Sequence, residues 1–360
     1  MRGHRLTADR WDTREHKDND PRRVELSGKS FGPWHDATAL ISGEAAAALG
    51  ELSCDRWERA TGETMRPVEA RADCWVDSVE PHFENVDLAI ARTRAEFDGA
   101  NSNCPEVREI EALFLDMIAR AEKFIYAENQ YFTSSKIAAA IAQRMQEENP
   151  PEIVIVGPLT ADGWIEQVAM DGARVRLCQL IGKSDVADRF GIYYPCTQGG
   201  EPIYVHAKIM IVDDRLFRIG SANMNNRSLG LDSECDVLID VATMAGDADD
   251  GVKAIRSIRE SLMAEHLGVE PEQVREAFDR SGSLHAVIAE LRGEGRMLKP
   301  IPMDEPEGLE KFIADNQVLD PECADEFFEP LSKRGLMNTF FARARRSRGF
   351  VHRRKHKARA

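Results

Sequence analysis

Apolar and polar positions change period along this chain, and the changes predict its elements. A helical period over 107–122 gives way to a short apolar strand at 123–129. A helix at 135–148, a strand at 152–157, a helix at 163–171 and a strand at 174–181 follow. Asn149-Pro150-Pro151 stops the first of those two helices, because proline cannot continue one. Ile203 to Val212 is apolar and β-branched and reads as a strand. Asp213-Asp214 then forms a tight turn, and Leu216 to Ile219 returns as a second strand. Asp236 to Val241 reads as a further strand, with helices at 249–267, 271–280 and 283–293 covering the sheet. Before this region, 1–33 is polar and reads as loop. Asp36 to Ser42 reads as a short strand and Glu44 to Ala60 as a helix. Residues 61–104 read as a long irregular connection with a strand near Cys74 to Ser78. The alternation predicts an α/β layered sheet flanked by helices.

The strand at 203–212 is interrupted by His206 and Lys208. Side chains two apart on a strand share a face, so the imidazole and the ammonium project together. Gly220-Ser221-Ala222-Asn223 follows the second strand, where Gly220 lets the chain bend and brings Ser221 and Asn223 beside the imidazole. Lys208 offers a point charge to phosphate oxygens, and Ser221 and Asn223 offer neutral donors. Phosphoryl transfer needs chiefly such positive charge and fixed donors. Asp213 and Glu234 complete the set of candidate catalytic residues. Glu128, Asn129 and Gln130 end a buried strand, the place where α/β folds hold ligands, and are candidate substrate-pocket residues. Tyr131 and Phe132 read as core. His35 and Asp36 are a catalytic pair by composition only, since neighbours on a strand point apart. Arg227 has Asp232 or Asp236 as a partner, and Trp164 and Glu166 read as a helix cap and surface pair.

His206, Lys208, Asp213, Gly220, Ser221, Asn223 and Glu234 together resemble the second H-x-K-x4-D half of the phospholipase D superfamily. Ile125 to Phe132, IYAENQYF, is similar to that family's segment I-x-x-E-N-Q-Y-F. Ala264 to Gly268, Trp34-His35-Asp36 and Arg56-Trp57 resemble further parts of it, so the likeness covers roughly residues 5–300. The resemblance implies a phospholipase D-like layered sheet with one complete half and the remnant of another. It divides the chain into a first-half remnant and connection at 1–100, a second-half domain at 101–270, a helical extension at 271–342 and a basic tail at 343–360. It implies that Glu234 bonds the far nitrogen of His206 and fixes its tautomer. It also implies catalysis through a phosphohistidine, with His206 as acid and base and with no metal or cofactor. Arg10-Trp11-Asp12-Thr13 resembles a segment that follows the first motif in two-motif members. His16-Lys17-Asp18 has the wrong spacing to be that motif. The expected chain is therefore the C-terminal part of a larger enzyme, its missing half supplied upstream or by a second chain.

Composition narrows the function classes. Hydrophobic content is 42%, ordinary for a globular protein, and no apolar run is long enough to span a bilayer. Seven scattered cysteines with no C-x-x-C pair point to neither a zinc cluster nor a disulfide framework, and a reducing cytoplasm is the default. A net charge of -15 argues against a nucleic-acid surface. The tail from Arg343 is strongly basic, after an acidic stretch at 304–329, and reads as a disordered tail or a tether to anionic headgroups at a membrane surface. A phosphodiester, above all a phospholipid, is the expected substrate. The alternatives are a phosphatidyltransferase of the cardiolipin synthase type, a nuclease, and an inactive phosphate- or lipid-binding fragment.

Overall fold

Buried β-branched runs form the centre of the molecule. The structure, a computed structural model, describes residues 8–66, 75–99, 102–160, 187–244 and 246–301. The helix and strand expected at 163–171 and 174–181, Trp164, Glu166 and the tail at 343–360 lie outside the described residues. The strands are β1 (Trp34–His35), β2 (Ala89–Arg94), β3 (Phe97–Gly99), β4 (Ser102–Cys104), β5 (Val107–Arg108), β6 (Phe124–Asn129), β7 (Glu152–Val156), β8 (Phe190–Cys196), β9 (Tyr204–Val205), β10 (Lys208–Val212), β11 (Leu216–Gly220), β12 (Glu234–Asp240) and β13 (Met297–Pro300). The helices are α1 (Gly43–Thr61), α2 (Glu109–Arg120), α3 (Ser135–Arg144), α4 (Ala248–Leu267), α5 (Pro271–Ser281) and α6 (Leu284–Glu290).

Among the described residues, nine strands form one sheet in the order β13-β8-β7-β6-β10-β11-β12-β2-β5. β6, β7 and β8 run parallel, and the remaining neighbours are antiparallel. All six residues of β6 and all five of β10 are buried, as continuous apolar strands covered on both faces are. Alternation along β6 and β10 divides the core. Ile125, Ala127, Met210 and Val212 pack with Phe114, Met117 and Ile118 of α2 and Ile137 and Ile141 of α3. Phe124, Tyr126, Ile209 and Ile211 pack with Ile255 and Met263 of α4, Val274 of α5 and Val287 of α6 on the other face. Local chemistry sets the helix limits. Asp247 accepts from Asp249 N at 2.9 Å, and Gly268, at φ 67°, ends α4 in a left-handed turn.

Several expectations change. The long strand over 203–212 is broken at His206 and Ala207 into β9 and β10. β9 leaves the main sheet to pair in parallel with β1, so the strand expected at 36–42 is two residues, Trp34 and His35, with loop beyond. Residues 75–78 hold no strand, whereas 89–94 form β2 inside the main sheet. β2 and β13 lie beyond the expected domain limits of 100 and 270, so one sheet runs across both of those boundaries. Among the described residues no helix is long and apolar enough to cross a membrane.

Candidate active site

The antiparallel register of β6 and β10 sets Lys208 opposite Asn129, at the carboxyl end of β6. Lys208 Nζ donates to Gln130 Oε1 at 3.1 Å and to the His206 carbonyl at 2.5 Å. Gln130 Nε2 donates in turn to the Tyr204 hydroxyl at 2.9 Å. Lys208 is 7% exposed, and among the described residues no carboxylate lies within hydrogen-bond reach of it. Burial pushes its pKa down to about 7, while Asp36 and Glu234 act on it only from longer range. A buried ammonium without a contact counter-ion is costly unless an anion joins it.

His206 sits in the break between β9 and β10. Its backbone N–H donates to the His35 carbonyl at 2.8 Å, which ties it to β1. Its Nδ1 lies 2.8 Å from Asp36 Oδ2, and Arg10 Nη1 approaches its Nε2 at 3.3 Å. A carboxylate at Nδ1 and a guanidinium donor at Nε2 select the neutral Nδ1–H tautomer, whose Nε2 lone pair faces Arg10. Burial lowers the His206 pKa despite the bond from Asp36. Trp34 stacks on Tyr204 at 4.6 Å, and the Arg10 guanidinium lies 5.0 Å from the Trp34 ring centroid.

Asp36 therefore takes the place expected of Glu234. Glu234 accepts from Ser221 Oγ at 2.6 Å and from Ser228 Oγ at 3.0 Å. Burial raises its carboxyl to about 6 against those two bonds. A cavity of about 430 Å³ opens beside Glu234, between α1 and β2, and Arg56, Arg92 and Thr93 line it. Ser221 and Asn223 are held by the chain behind them. Asp236 Oδ1 accepts from Ser221 N at 2.9 Å and Ala222 N at 3.1 Å, and Arg218 pairs with the same carboxylate. Asn129 Oδ1 accepts from Met224 N at 3.0 Å, which seats this loop against the end of β6. Gly220 has no left-handed backbone, contrary to the expected sharp bend; a Cβ there would stand 1.9 Å from Asp236 Oδ1. The glycine permits close approach of the two strands rather than a turn.

Two expected site residues lie elsewhere. Asp213 stands at the opposite end of β10 from Lys208, about 17 Å away for five residues of strand. Its carboxylate accepts from Glu122 N, Lys123 N and Phe124 N at 2.7–2.9 Å. Asp213 is thus a turn residue that ties β10 to β6. Glu128 points to the other face of β6 from Asn129 and is fully buried. It accepts from the Tyr126 hydroxyl at 2.7 Å, from His266 Nε2 at 2.9 Å and from His35 Nε2 at 2.6 Å. His35 Nδ1 also reaches Glu265 Oε1 at 2.8 Å. His35 and Asp36 point apart, as neighbours on a strand should. Arg227 pairs with Asp232 at 2.8 Å.

Around Glu128 lies an extended buried network. His16 bridges Asp12 at 2.9 Å and Glu265 at 3.1 Å, and Asp12 also accepts from Arg23 at 3.2 Å and from the Trp34 N–H at 2.9 Å. His35, Glu128 and His266, and likewise His16, His35 and Glu265, bring potential metal-ligand atoms within 4.8 Å of one another. Their carboxylate oxygens, however, are already occupied by hydrogen bonds, and the His35 imidazolium with Arg14 and Arg23 balances Asp12, Glu128 and Glu265. Arg10, Trp34 and Asp36 surround His206, although they sit in a polar N-terminal stretch far from it in sequence. The Arg10-Trp11-Asp12-Thr13 and Trp34-His35-Asp36 likenesses are the sequence signals that point to them.

The sequence model described as "Cardiolipin synthase, PLD-like domain" matches residues 114–255. Phospholipase D zeta 1 of Arabidopsis thaliana is 30% identical over 238 residues, which cover 53% of this chain and 22% of that protein. Phospholipase D1 of Schizosaccharomyces pombe is 27% identical over 297 residues, covering 66% of this chain and 21% of that one. The chain thus spans about a fifth of the length of these relatives. A phosphatidylserine synthase structure from Haemophilus influenzae aligns over 71% of this chain and 56% of its own at 16% identity, with a TM-score of 0.37. Strand pairing that brings a histidine and a buried lysine to one end of a mixed sheet agrees with the sequence matches across that region, and residues 114–255 form a phospholipase D-like domain.

Proposed function

We propose that this chain carries one half of a phosphodiester-cleaving site acting on phospholipids. The observation that supports it best is the buried ammonium of Lys208, which has no contact counter-ion among the described residues and lies beside the imidazole of His206. A phosphodiester oxygen would supply the missing negative charge, and Arg10 adds a second cation at His206 Nε2. His206 serves as the proton carrier. Bound phosphate anion raises its proton affinity, so it enters the reaction as imidazolium, protonates the departing alcohol and then takes a proton from water. The nucleophile is the imidazole of a second H-x-K half, on a longer polypeptide or a second chain, which forms the phosphohistidine. Asp36 orients His206, and Glu234, held by two serines, is the carboxylate available to orient the second imidazole.

Transfer to an acceptor alcohol in place of water is the second reading. The match to a cardiolipin synthase domain favours it.

Two measurements test the proposal. Tungstate titrated into the wild type should bind at least about 10-fold more tightly than into Lys208→Gln, since a charged hydrogen bond is lost; equal affinities remove the anion site. Hydrolysis of phosphatidylcholine and bis-p-nitrophenyl phosphate is then compared for wild type and His206→Ala. Equal rates would remove His206 from the chemistry.

A further inference from the structure

We propose that His35 is a positioning residue: its imidazolium, clamped between Glu128 and Glu265, holds the Trp34–Asp36 segment so that Asp36 meets His206. The inference deepens the phosphodiesterase reading of this site and rests on it for its effect on catalysis.

Three consecutive residues do three different tasks. Trp34 stacks on Tyr204, and Asp36 reaches His206 Nδ1. Between them His35 turns the other way, into the core, where its ring lies 4.5 Å from that of His266. β1 offers little support of its own. It is two residues long and, among the described residues, pairs only with β9, also two residues. Backbone links at the two ends of this pair run from Tyr204 N to the Pro33 carbonyl at 3.0 Å and from His206 N to the His35 carbonyl at 2.8 Å. Ribbons this short are marginal without side-chain anchors.

The anchor is built from both sides of the site. Glu128 precedes Asn129 and Gln130 on the strand that faces Lys208, and Glu265 lies in α4. Through one ring, His35 fastens the Asp36 side of the pocket to the strand that carries its Lys208 side. Both of its nitrogens face carboxylate oxygens, at 2.6 and 2.8 Å, so both carry protons. Burial opposes that charge, yet Glu128 and then Glu265 outweigh it and raise the His35 pKa to about 10. His266 donates through Nε2 and is held neutral by burial. The clamp is therefore charged and closed throughout the neutral range.

The test reads the titration of His206, whose neighbours are Asp36, Lys208 and Arg10. Its imidazole is followed by NMR in the wild type, His35→Gln, Asp36→Asn and the double variant. Removing a cation alone raises a nearby histidine's pKa, whereas loss of its carboxylate partner lowers it. Asp36→Asn should lower His206 by about one pH unit. His35→Gln should move it in the same direction, and the double variant no further than Asp36→Asn. An unchanged or raised value in His35→Gln, or additive effects in the double variant, overturns the proposal. If His35→Gln does not fold, His35→Asn, which likewise removes the cation, carries the same test with a shift of the same sign. Tungstate affinity is measured in parallel. Binding to none of the proteins, wild type included, overturns the phosphoryl reading alone, while the titration still decides what His35 does.

Discussion

Ser221 gives its hydroxyl proton to Glu234 across 2.6 Å, and the same oxygen accepts the Cys235 N–H at 3.0 Å. Its single proton is thereby committed to the carboxylate. Glu234 nonetheless has a pKa raised from 4.5 to about 6, because burial outweighs the two serine bonds. The folded chain holds that proton more tightly than the unfolded chain does. The contribution of Glu234 to stability is fullest below pH 4.5, is lost as pH rises through about 6, and amounts to about 2 kcal/mol. Glu234→Gln keeps an acceptor for the serines and removes the buried charge. Urea unfolding should show the variant more stable than wild type by about 1–2 kcal/mol at pH 8 and nearly equal at pH 4. The same difference at both pH values would contradict the assignment.

Asp213 separates a structural carboxylate from a chemical one. It sits at φ 56°, in the left-handed region that aspartate tolerates, and satisfies three backbone N–H groups at the start of β6. Asp213→Ala should cost about 1–3 kcal/mol of stability, with Asp213→Asn in between. Tungstate affinity of the folded protein should not change. A loss of affinity as large as that in Lys208→Gln would return Asp213 to the site.

The parts legible in the sequence are local ones. His206 with Lys208, the Gly220–Asn223 loop and the run from α2 to β7 each carry their signal within a few residues, as spacing or period. β2, β8 and β13 carry little. AIARTR is half polar, FGIYYPC holds a glycine and a proline, and MLKP is four residues long. Their place in the sheet comes from neighbours far along the chain. The partner of His206 was illegible for the same reason. Asp36 lies 170 residues away in a polar stretch, and composition alone cannot choose between it and Glu234. The charged core of His35, Glu128 and His266 is the extreme case, because each residue taken singly reads as surface or as pocket.

Arg218 and Asp236 should prove necessary to the loop although neither belongs to the chemistry. Both are fully buried, and Arg218 Nη2 also donates to the Ala222 carbonyl at 2.7 Å. Asp236→Ala strands the guanidinium and frees the Ser221 and Ala222 N–H groups. It should cost about 3–5 kcal/mol. Arg218→Met combined with Asp236→Asn should cost less than the sum of the two single changes, because neither then leaves a buried charge unpaired. A double-mutant cycle by thermal unfolding measures this, and strict additivity would mean that the pair does not act as a unit.

The depressed pKa of Lys208 makes anion binding a proton-linked event. Free Lys208 titrates near 7, since burial disfavours its charged form. An anion in contact restores the charge and lifts the pKa towards its ordinary value. At pH 6 the lysine is already protonated and binding takes up little. At pH 8 most molecules have lost the proton, so binding should take up about one. Calorimetry of tungstate binding in buffers of differing ionisation enthalpy counts those protons directly. Affinity should fall between pH 6 and 8.5 in the wild type, and the fall should flatten in Lys208→Arg, whose guanidinium stays charged. Zero uptake at pH 8, or an equal slope in Lys208→Arg, would show that the ammonium of Lys208 does not meet the anion.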